Sequence, residues 1–231
     1  MKKAVLILFM LLITVNIAFA DNADINQITK KANQGDVDSQ VYLATSYSLG
    51  NNGMPQNYKQ AAYWYTKAAE QGHAGAQHLL GLSYSNGYGV LQSDAEAIKW
   101  YRKAANQGHA GGQDSLGLCY YNGEGVQRNY NEAAKWFRLA ANQGHAGAQF
   151  SIGNCYYNGD GVLQSYTEAI KWFNLSANQG NLFAINKLGI AYYNGKGVIR
   201  DRQKACQLFR LAGELGHEAA INNYNDVCAP R

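Results

Sequence analysis

Apolar and small residues recur at helical spacing in two consecutive segments of residues 74–108, and each segment predicts one helix. In the first segment Ala76, Leu80 and Tyr84 lie four residues apart, so they share one face of a helix. The second segment has an apolar stripe formed by Ala97, Trp100, Tyr101, Ala104 and Ala105. In the second segment Lys99, Arg102 and Lys103 are left for solvent, so the second helix is amphipathic.

Glycines and capping residues predict where these helices end and begin. The pair Gly87 and Gly89 ends the first helix, because glycine adopts positive φ without steric cost. Ser93 with Glu96 predicts a reciprocal capping box at the start of the second helix. The same spacing recurs in three more pairs, Asn57 with Gln60, Asn129 with Glu132, and Ser165 with Glu168.

The whole pattern repeats every 36 residues. The four tryptophans show the period most simply, at Trp64, Trp100, Trp136 and Trp172. A helix pair of this size buries too little surface to fold alone, so neighbouring pairs must stack into a solenoid. We therefore expect five full repeats in residues 37–216. An N-terminal capping helix in residues 21–36 and a C-terminal one in residues 217–231 are predicted to act as half-repeats.

The repeated motif resembles a known family. Leu-Gly-x-x-Tyr-x-x-Gly-x-Gly-Val is followed by Ala-x-x-Trp-[Tyr/Phe]-x-x-Ala-Ala-x-x-Gly, as in residues 116–144. This motif is similar to that of the Sel1-like repeat, a relative of the tetratricopeptide repeat. The resemblance implies an all-α, right-handed α/α superhelix that scaffolds protein–protein interactions, often in the bacterial envelope or at a host interface. The chain departs from the motif at Ala44, Leu208 and Gly213.

The N-terminus has the pattern of an export signal. Lys2 and Lys3 precede an apolar run, and Ala18-Phe19-Ala20 forms a signal-peptidase pattern. We expect a signal peptide over residues 1–20, a periplasmic or secreted protein, and no stable membrane insertion after cleavage; a retained anchor is the alternative. Without Lys2 and Lys3 the net charge falls from +4 to +2, which argues against a nucleic-acid partner.

The four cysteines fall into two kinds. Cys206 and Cys228 lie equally far from His217, so folding back about this residue brings them level and predicts a disulfide, with a reduced pair as the alternative. Cys119 and Cys155 occupy equivalent positions in adjacent repeats. A helix spacing separates them, so we expect both thiols to be free and buried.

No residue pattern predicts catalysis or a cofactor. His73, His109, His145 and His217 each follow a repeat-closing glycine, but a full repeat separates them, which disfavours a metal site. A role at the helix start, where Asp36 and Asn181 substitute, is the better interpretation. We therefore expect a non-enzymatic scaffold. A weak β-lactam hydrolase, implied by cysteine-rich relatives, and a cell-wall-binding module remain as alternatives.

Positions that vary between repeats predict the partner-binding surface. By analogy with tetratricopeptide repeats, variable positions of the first helix line a concave face that holds a protein or peptide. The predicted contact residues are His78, Leu82, Asp114, Leu118, Tyr121, Phe150, Asn154, Tyr157, Asn186, Ile190 and Tyr193. The alternative is that the tyrosines pack against neighbouring repeats, and that Phe150, Leu82 and Ile190 belong to the core.

Overall fold

A computed structural model describes residues 25–229, which form twelve α-helices and no strand. The predicted signal peptide lies outside these residues. The helices are α1 Ile25–Asn33, α2 Val37–Leu49, α3 Tyr58–Glu70, α4 Ala74–Asn86, α5 Asp94–Asn106, α6 Ala110–Asn122, α7 Tyr130–Asn142, α8 Ala146–Asn158, α9 Tyr166–Asn178, α10 Leu182–Asn194, α11 Arg202–Glu214 and α12 Glu218–Val227. Each helix packs mainly on its neighbours in sequence, which confirms the predicted solenoid of helix pairs.

Five repeats, called units 1 to 5, each consist of a first and a second helix. Unit 1 is α2 with α3, and unit 5 is α10 with α11. The helix α1 precedes unit 1 and packs on α2, and α12 follows unit 5 and packs on α11. The two outer helices therefore sit at the two ends of the stack.

The second helices begin with half of the predicted capping box. The side chains of Asn57, Ser93, Asn129 and Ser165 accept a hydrogen bond from the backbone N–H three residues on. The reciprocal bond from the glutamate was predicted wrongly. The backbone N–H of Ser93 donates instead to the carbonyl of Tyr84 at 2.9 Å, and Glu96 forms an ion pair with Lys99. The N–H is thus already satisfied by the first helix of the same unit.

The glycine turn both ends the first helix and touches the preceding unit. Gly123 ends α6 with φ +81°. The second glycine of the turn, Gly125, has φ +70°, and a Cβ there would lie 2.7 Å from the carbonyl oxygen of Asp94. Because backbone atoms cannot move aside, this position accepts only glycine.

Within a unit, a first-helix glycine lies under an aromatic ring of the second helix. A Cβ on Gly117 would lie 2.7 Å from the ring of Phe137, which is fully buried. The same arrangement recurs for Gly81 with Tyr101, Gly153 with Phe173, and Gly189 with Phe209. The missing side chain lets the two helices approach closely.

The tryptophans of the second helices pack against the unit that precedes their own. Trp136 of unit 3 packs against a core cluster that contains Ala97 and Tyr101 of unit 2 and Leu116 of unit 3. Trp172 packs in the same way against the cluster formed by units 3 and 4. Apolar burial therefore joins each unit to the one before it.

A pair of glutamines also marks units 1 to 4, and sequence analysis missed it. The buried Gln113 donates to the carbonyl of Ala105 in unit 2 at 3.3 Å and accepts from Gln143 at 2.7 Å. Equivalent pairs occur in units 1, 2 and 4. In unit 5 the two positions are Ile185 and Leu215. The 36-residue recurrence of glutamine was the signal that could have predicted these bonds.

The predicted disulfide is present. Cys206 on α11 and Cys228 after α12 are bonded, with Cα atoms 5.7 Å apart. Cys119 and Cys155 are free and buried, and burial raises the pKa of each thiol to about 12. The covalent link therefore fastens α12 to unit 5.

We expect Gly117→Ala to lower the free energy of unfolding by about 1–2 kcal/mol. Alanine favours the helix by about 1 kcal/mol, but overpacking against Phe137 costs more. Gly213→Ala is the matched control, because its Cβ would meet no aromatic ring and would lie 3.0 Å from Cγ1 of Ile221, with the Ile221 backbone at an ordinary contact distance of 3.6 Å. Urea unfolding measures both. Equal stability of the two variants would contradict the tight-packing account.

We expect Cys206→Ser with Cys228→Ser to lower the free energy of unfolding of the C-terminal end by about 3 kcal/mol. Hydrogen exchange over α11 and α12 measures this local loss. In the wild type without reductant, Ellman's reagent should detect no thiol in the native protein and two after unfolding. Detection of four thiols would show that the disulfide is not formed.

Candidate partner-binding face

First helices of adjacent units contact each other and form one continuous surface, here called the first-helix face. His78 Nε2 lies 3.1 Å from the Ser115 hydroxyl of the next unit, and the rings of Phe150 and Phe183 lie 5.9 Å apart. At the C-terminal end, Asn223 of α12 donates to Asn186 at 2.8 Å. This is the face that the tetratricopeptide analogy predicts to be concave.

Two of the predicted contact residues are buried between units. His78 is 4% exposed and Asn186 is 7% exposed. Their prediction as solvent-facing positions is wrong, because each side chain reaches sideways to the next first helix. Asp114 occupies the equivalent position in unit 3, and a hydrogen bond from Ser151 of unit 4 acts on its carboxyl group.

Asp114 lies in an environment that disfavours its charge. Burial raises the pKa of its carboxyl to about 7, and the Ser151 hydrogen bond offsets this only in part. One carboxyl oxygen, Oδ1, has no hydrogen-bond partner. The other lies 3.6 Å from Nδ1 of His145, which already accepts from the Ala148 N–H at 3.1 Å. Two acceptors therefore face each other unless the Asp114 carboxyl is protonated.

Phe150 and the tyrosines combine packing with partial exposure. Phe150 is half-buried, with its ring 5.9 Å from that of Phe173. The Tyr121 ring packs on Phe137 of its own unit, and its hydroxyl donates to Asp160 of the next unit at 2.7 Å. Tyr157 packs likewise on Phe173 and remains half-buried.

The most accessible predicted residues lie two positions after the helix leucine. Leu118 is 41% exposed, and Leu82, Asn154 and Ile190 are partly exposed. Tyr193 is also partly exposed, under the guanidinium of Arg200. Phe183 is 59% exposed on the same face, and sequence analysis missed it. Its position carries glycine in units 2 to 4, so an internal comparison of the repeats would have found it.

The histidines that follow the repeat-closing glycines cap helices. His73, His109, His145 and His217 accept a hydrogen bond through Nδ1 from the backbone N–H three residues on. Asp36 and Asn181 accept the same bond through oxygen, which confirms the predicted helix-start role. Within residues 25–229, no three histidine, cysteine or acidic side chains cluster so that they could hold a metal ion.

The repeat model of one protein family matches the chain over most of its length. The model, described as Sel1 repeat, matches residues 37–73, 74–109, 111–145, 146–181 and 182–217. The chain belongs to the Sel1 repeat family. Members of this family are in general non-enzymatic scaffolds that bind proteins. Within the part of the chain that the structure describes, no helix has the length and apolarity needed to cross a membrane.

Two solved Sel1 repeat structures are similar to this chain. One is a protective antigen present in uropathogenic Escherichia coli strains, with 40% identity and a TM-score of 0.81 over 89% of this chain. The alignment spans only 44% of that protein's length. The other is a Sel1 repeat protein from Oxalobacter formigenes, with 33% identity and a TM-score of 0.78, covering 90% of this chain and 88% of that one. A comparison with curated proteins finds no significant match.

We expect Asp114→Asn to stabilise this Sel1 repeat protein by on the order of 2 kcal/mol at about pH 8. The folded-state pKa of the carboxyl lies above its ordinary value, so ionisation costs stability as the pH rises through about 7. At about pH 3, below the ordinary carboxyl pKa of 3.8, the carboxyl is largely protonated in both the folded and the unfolded state, so the advantage should largely vanish. His78, whose pKa burial lowers to about 3, is common to both proteins and cancels in the difference.

Urea unfolding of both proteins at the two pH values measures this difference. Asp226→Asn, at an exposed position of α12, is the control and should change stability little at either pH. An equal effect of Asp114→Asn at both pH values would contradict the conclusion that burial raises the pKa of the Asp114 carboxyl.

Proposed function

We propose that this protein is an exported, non-enzymatic scaffold that binds a protein or peptide along its first-helix face. The observation that carries the proposal is a division within each unit. Positions that recur from unit to unit, such as Gly117 and Gln113, are buried and hold the helices together. Variable positions such as Leu118, Asn154 and Ile190 stay accessible on one face.

The chemistry of this face supports recognition of a protein. Aromatic and aliphatic side chains are partly or largely exposed there, next to hydrogen-bonding groups such as the Tyr157 hydroxyl and the Asn154 amide. Interfaces are enriched in aromatic residues that combine apolar area with a polar tip. Burial raises the pKa of the Cys119 and Cys155 thiols, which disfavours the reactive thiolate form at both positions.

Two observations support export to the periplasm or the medium. Residues 1–20 have the pattern of a signal peptide. The disulfide between Cys206 and Cys228 is of a kind that persists in oxidising compartments. The similar E. coli protein, described as a protective antigen, is compatible with a role in the envelope or at a host interface.

Site-specific photocrosslinking tests the proposal. A photoreactive amino acid replaces Leu118 or Ile190 on the first-helix face in the native cells. Leu139 and Leu175 are the matched controls, because they are comparably exposed leucines on the second helices α7 and α9. We expect a discrete crosslinked protein in the envelope or culture medium from the first-helix positions only. The same product from the second-helix positions, or none from either, would contradict the proposal.

A further inference from the structure

Two lysines converge on one tyrosine of the first-helix face. The Nζ of Lys187, on α10, lies 5.7 Å from the ring centroid of Tyr157, on α8. The Nζ of Lys196, in the turn after α10, lies 5.2 Å from the same centroid and 5.1 Å from that of Tyr166. The ammonium groups are thus held at the junction between units 4 and 5 by aromatic rings.

Neither lysine has a carboxylate partner among residues 25–229. Three lysines on second helices, Lys99, Lys135 and Lys171, each form an ion pair with a glutamate three residues earlier, whereas Lys67 and Lys103 on second helices form none with the described residues. No acidic oxygen lies within 4.0 Å of the Nζ of Lys187 or Lys196 in the described part of the chain. Lys196 hydrogen-bonds to the hydroxyls of Tyr166 and Tyr157. Because an ammonium group carries three donors, each lysine keeps at least one donor for an anion from outside.

Comparison of the units shows that the fold does not require these charges. At the position of Lys187 the preceding units carry Leu79, Ser115 and Ser151, and at the position of Lys196 they carry Tyr88, Glu124 and Asp160. At the junction of units 3 and 4, Asp160 accepts a hydrogen bond from Tyr121. At the junction of units 4 and 5, Lys196 occupies the position equivalent to Asp160, and Lys187 lies nearby. The charge on the first-helix face is therefore positive at this junction and negative at the one before it.

The surroundings of the two lysines are apolar. Phe183, Lys187 and Ile190 lie at positions i, i+4 and i+7 of α10, so they share one side of the helix. Phe183 is the most exposed aromatic residue of the described chain. A segment that meets this side of α10 would therefore contact aromatic and aliphatic surface on both sides of a cation.

We propose that the junction of units 4 and 5 binds a carboxylate of the partner between Lys187 and Lys196, beside Tyr157, with apolar partner residues on Phe183 and Ile190. This inference rests on the proposed function and names the partner chemistry: an extended, acidic segment with apolar neighbours. The carboxylate comes from an Asp or Glu side chain or from a free C-terminus. Charge-assisted hydrogen bonds hold it, so binding weakens as salt rises.

Selection from a phage-displayed dodecapeptide library tests the inference with the disulfide-bonded protein. We expect the enriched peptides to contain Asp or Glu next to aromatic or aliphatic residues. Each is then synthesised with its acidic residues changed to amides, and in separate free-acid and C-terminal amide forms. Loss of binding when the acidic side chains become amides assigns the carboxylate to a side chain. Loss of binding when the C-terminus becomes an amide assigns it to the terminus.

Matched double variants locate the contact. Lys187→Gln with Lys196→Gln should weaken peptide binding about tenfold or more, as measured by fluorescence anisotropy. Lys67→Gln with Lys103→Gln removes two cations that lie over Tyr63 and Trp100 on second helices, and should leave binding unchanged. Circular dichroism melting curves confirm that both variants fold.

The outcomes separate this inference from the proposed function. Peptides that bind the wild type, lose binding to Ile190→Asp, and yet bind equally well after amidation of both their acidic side chains and their C-terminus would overturn the carboxylate site and leave the first-helix face intact. Normal binding of such Ile190-dependent peptides to Lys187→Gln with Lys196→Gln would have the same meaning. Failure to enrich any peptide, or binding insensitive to both Ile190→Asp and Leu118→Asp, would overturn both.

Discussion

The contact between a bare first-helix glycine and an aromatic ring of the second helix sets the geometry of every complete unit from 2 to 5. At Gly117 the ring of Phe137 occupies the space where a Cβ would stand. At this distance between the helices, Trp136 of the second helix packs against the preceding unit. Gln143, at the end of the same helix, donates a hydrogen bond to Gln113 of the first helix. Packing within a unit thus determines the packing between units.

This constraint also separates scaffold from surface. Most buried positions carry glycine, alanine, glutamine or an aromatic or aliphatic residue of similar size from unit to unit, so they recur with the 36-residue period. The first-helix face carries no such requirement. Leu118, Asn154 and Ile190 differ in size and polarity at one equivalent position, although their helices start and end alike. A stack of nearly identical units can therefore present a different surface in each one.

Local pattern predicted the helices, the unit count and the C-terminal disulfide, because these depend on spacing along the chain. What it could not resolve was the rotation of each first helix to within one residue. His78 and Asn186 lie on the predicted face but reach sideways and are buried. The glutamine pairs were missed for a related reason. The two glutamines of a pair such as Gln113 and Gln143 lie thirty residues apart, so helical periodicity does not reveal their contact, and only the 36-residue recurrence of both glutamines indicates it.

Protease resistance of a single-substitution library displayed on yeast measures folding without a partner, so it tests whether the variable positions of the first-helix face are free of a structural role. We expect polar substitutions at Leu118, Asn154 and Ile190 to keep wild-type resistance, whereas substitutions at Gly117 and Gln113 should lose it. Comparable losses at both sets would show that the variable positions of the first-helix face belong to the core and are not held free for a partner.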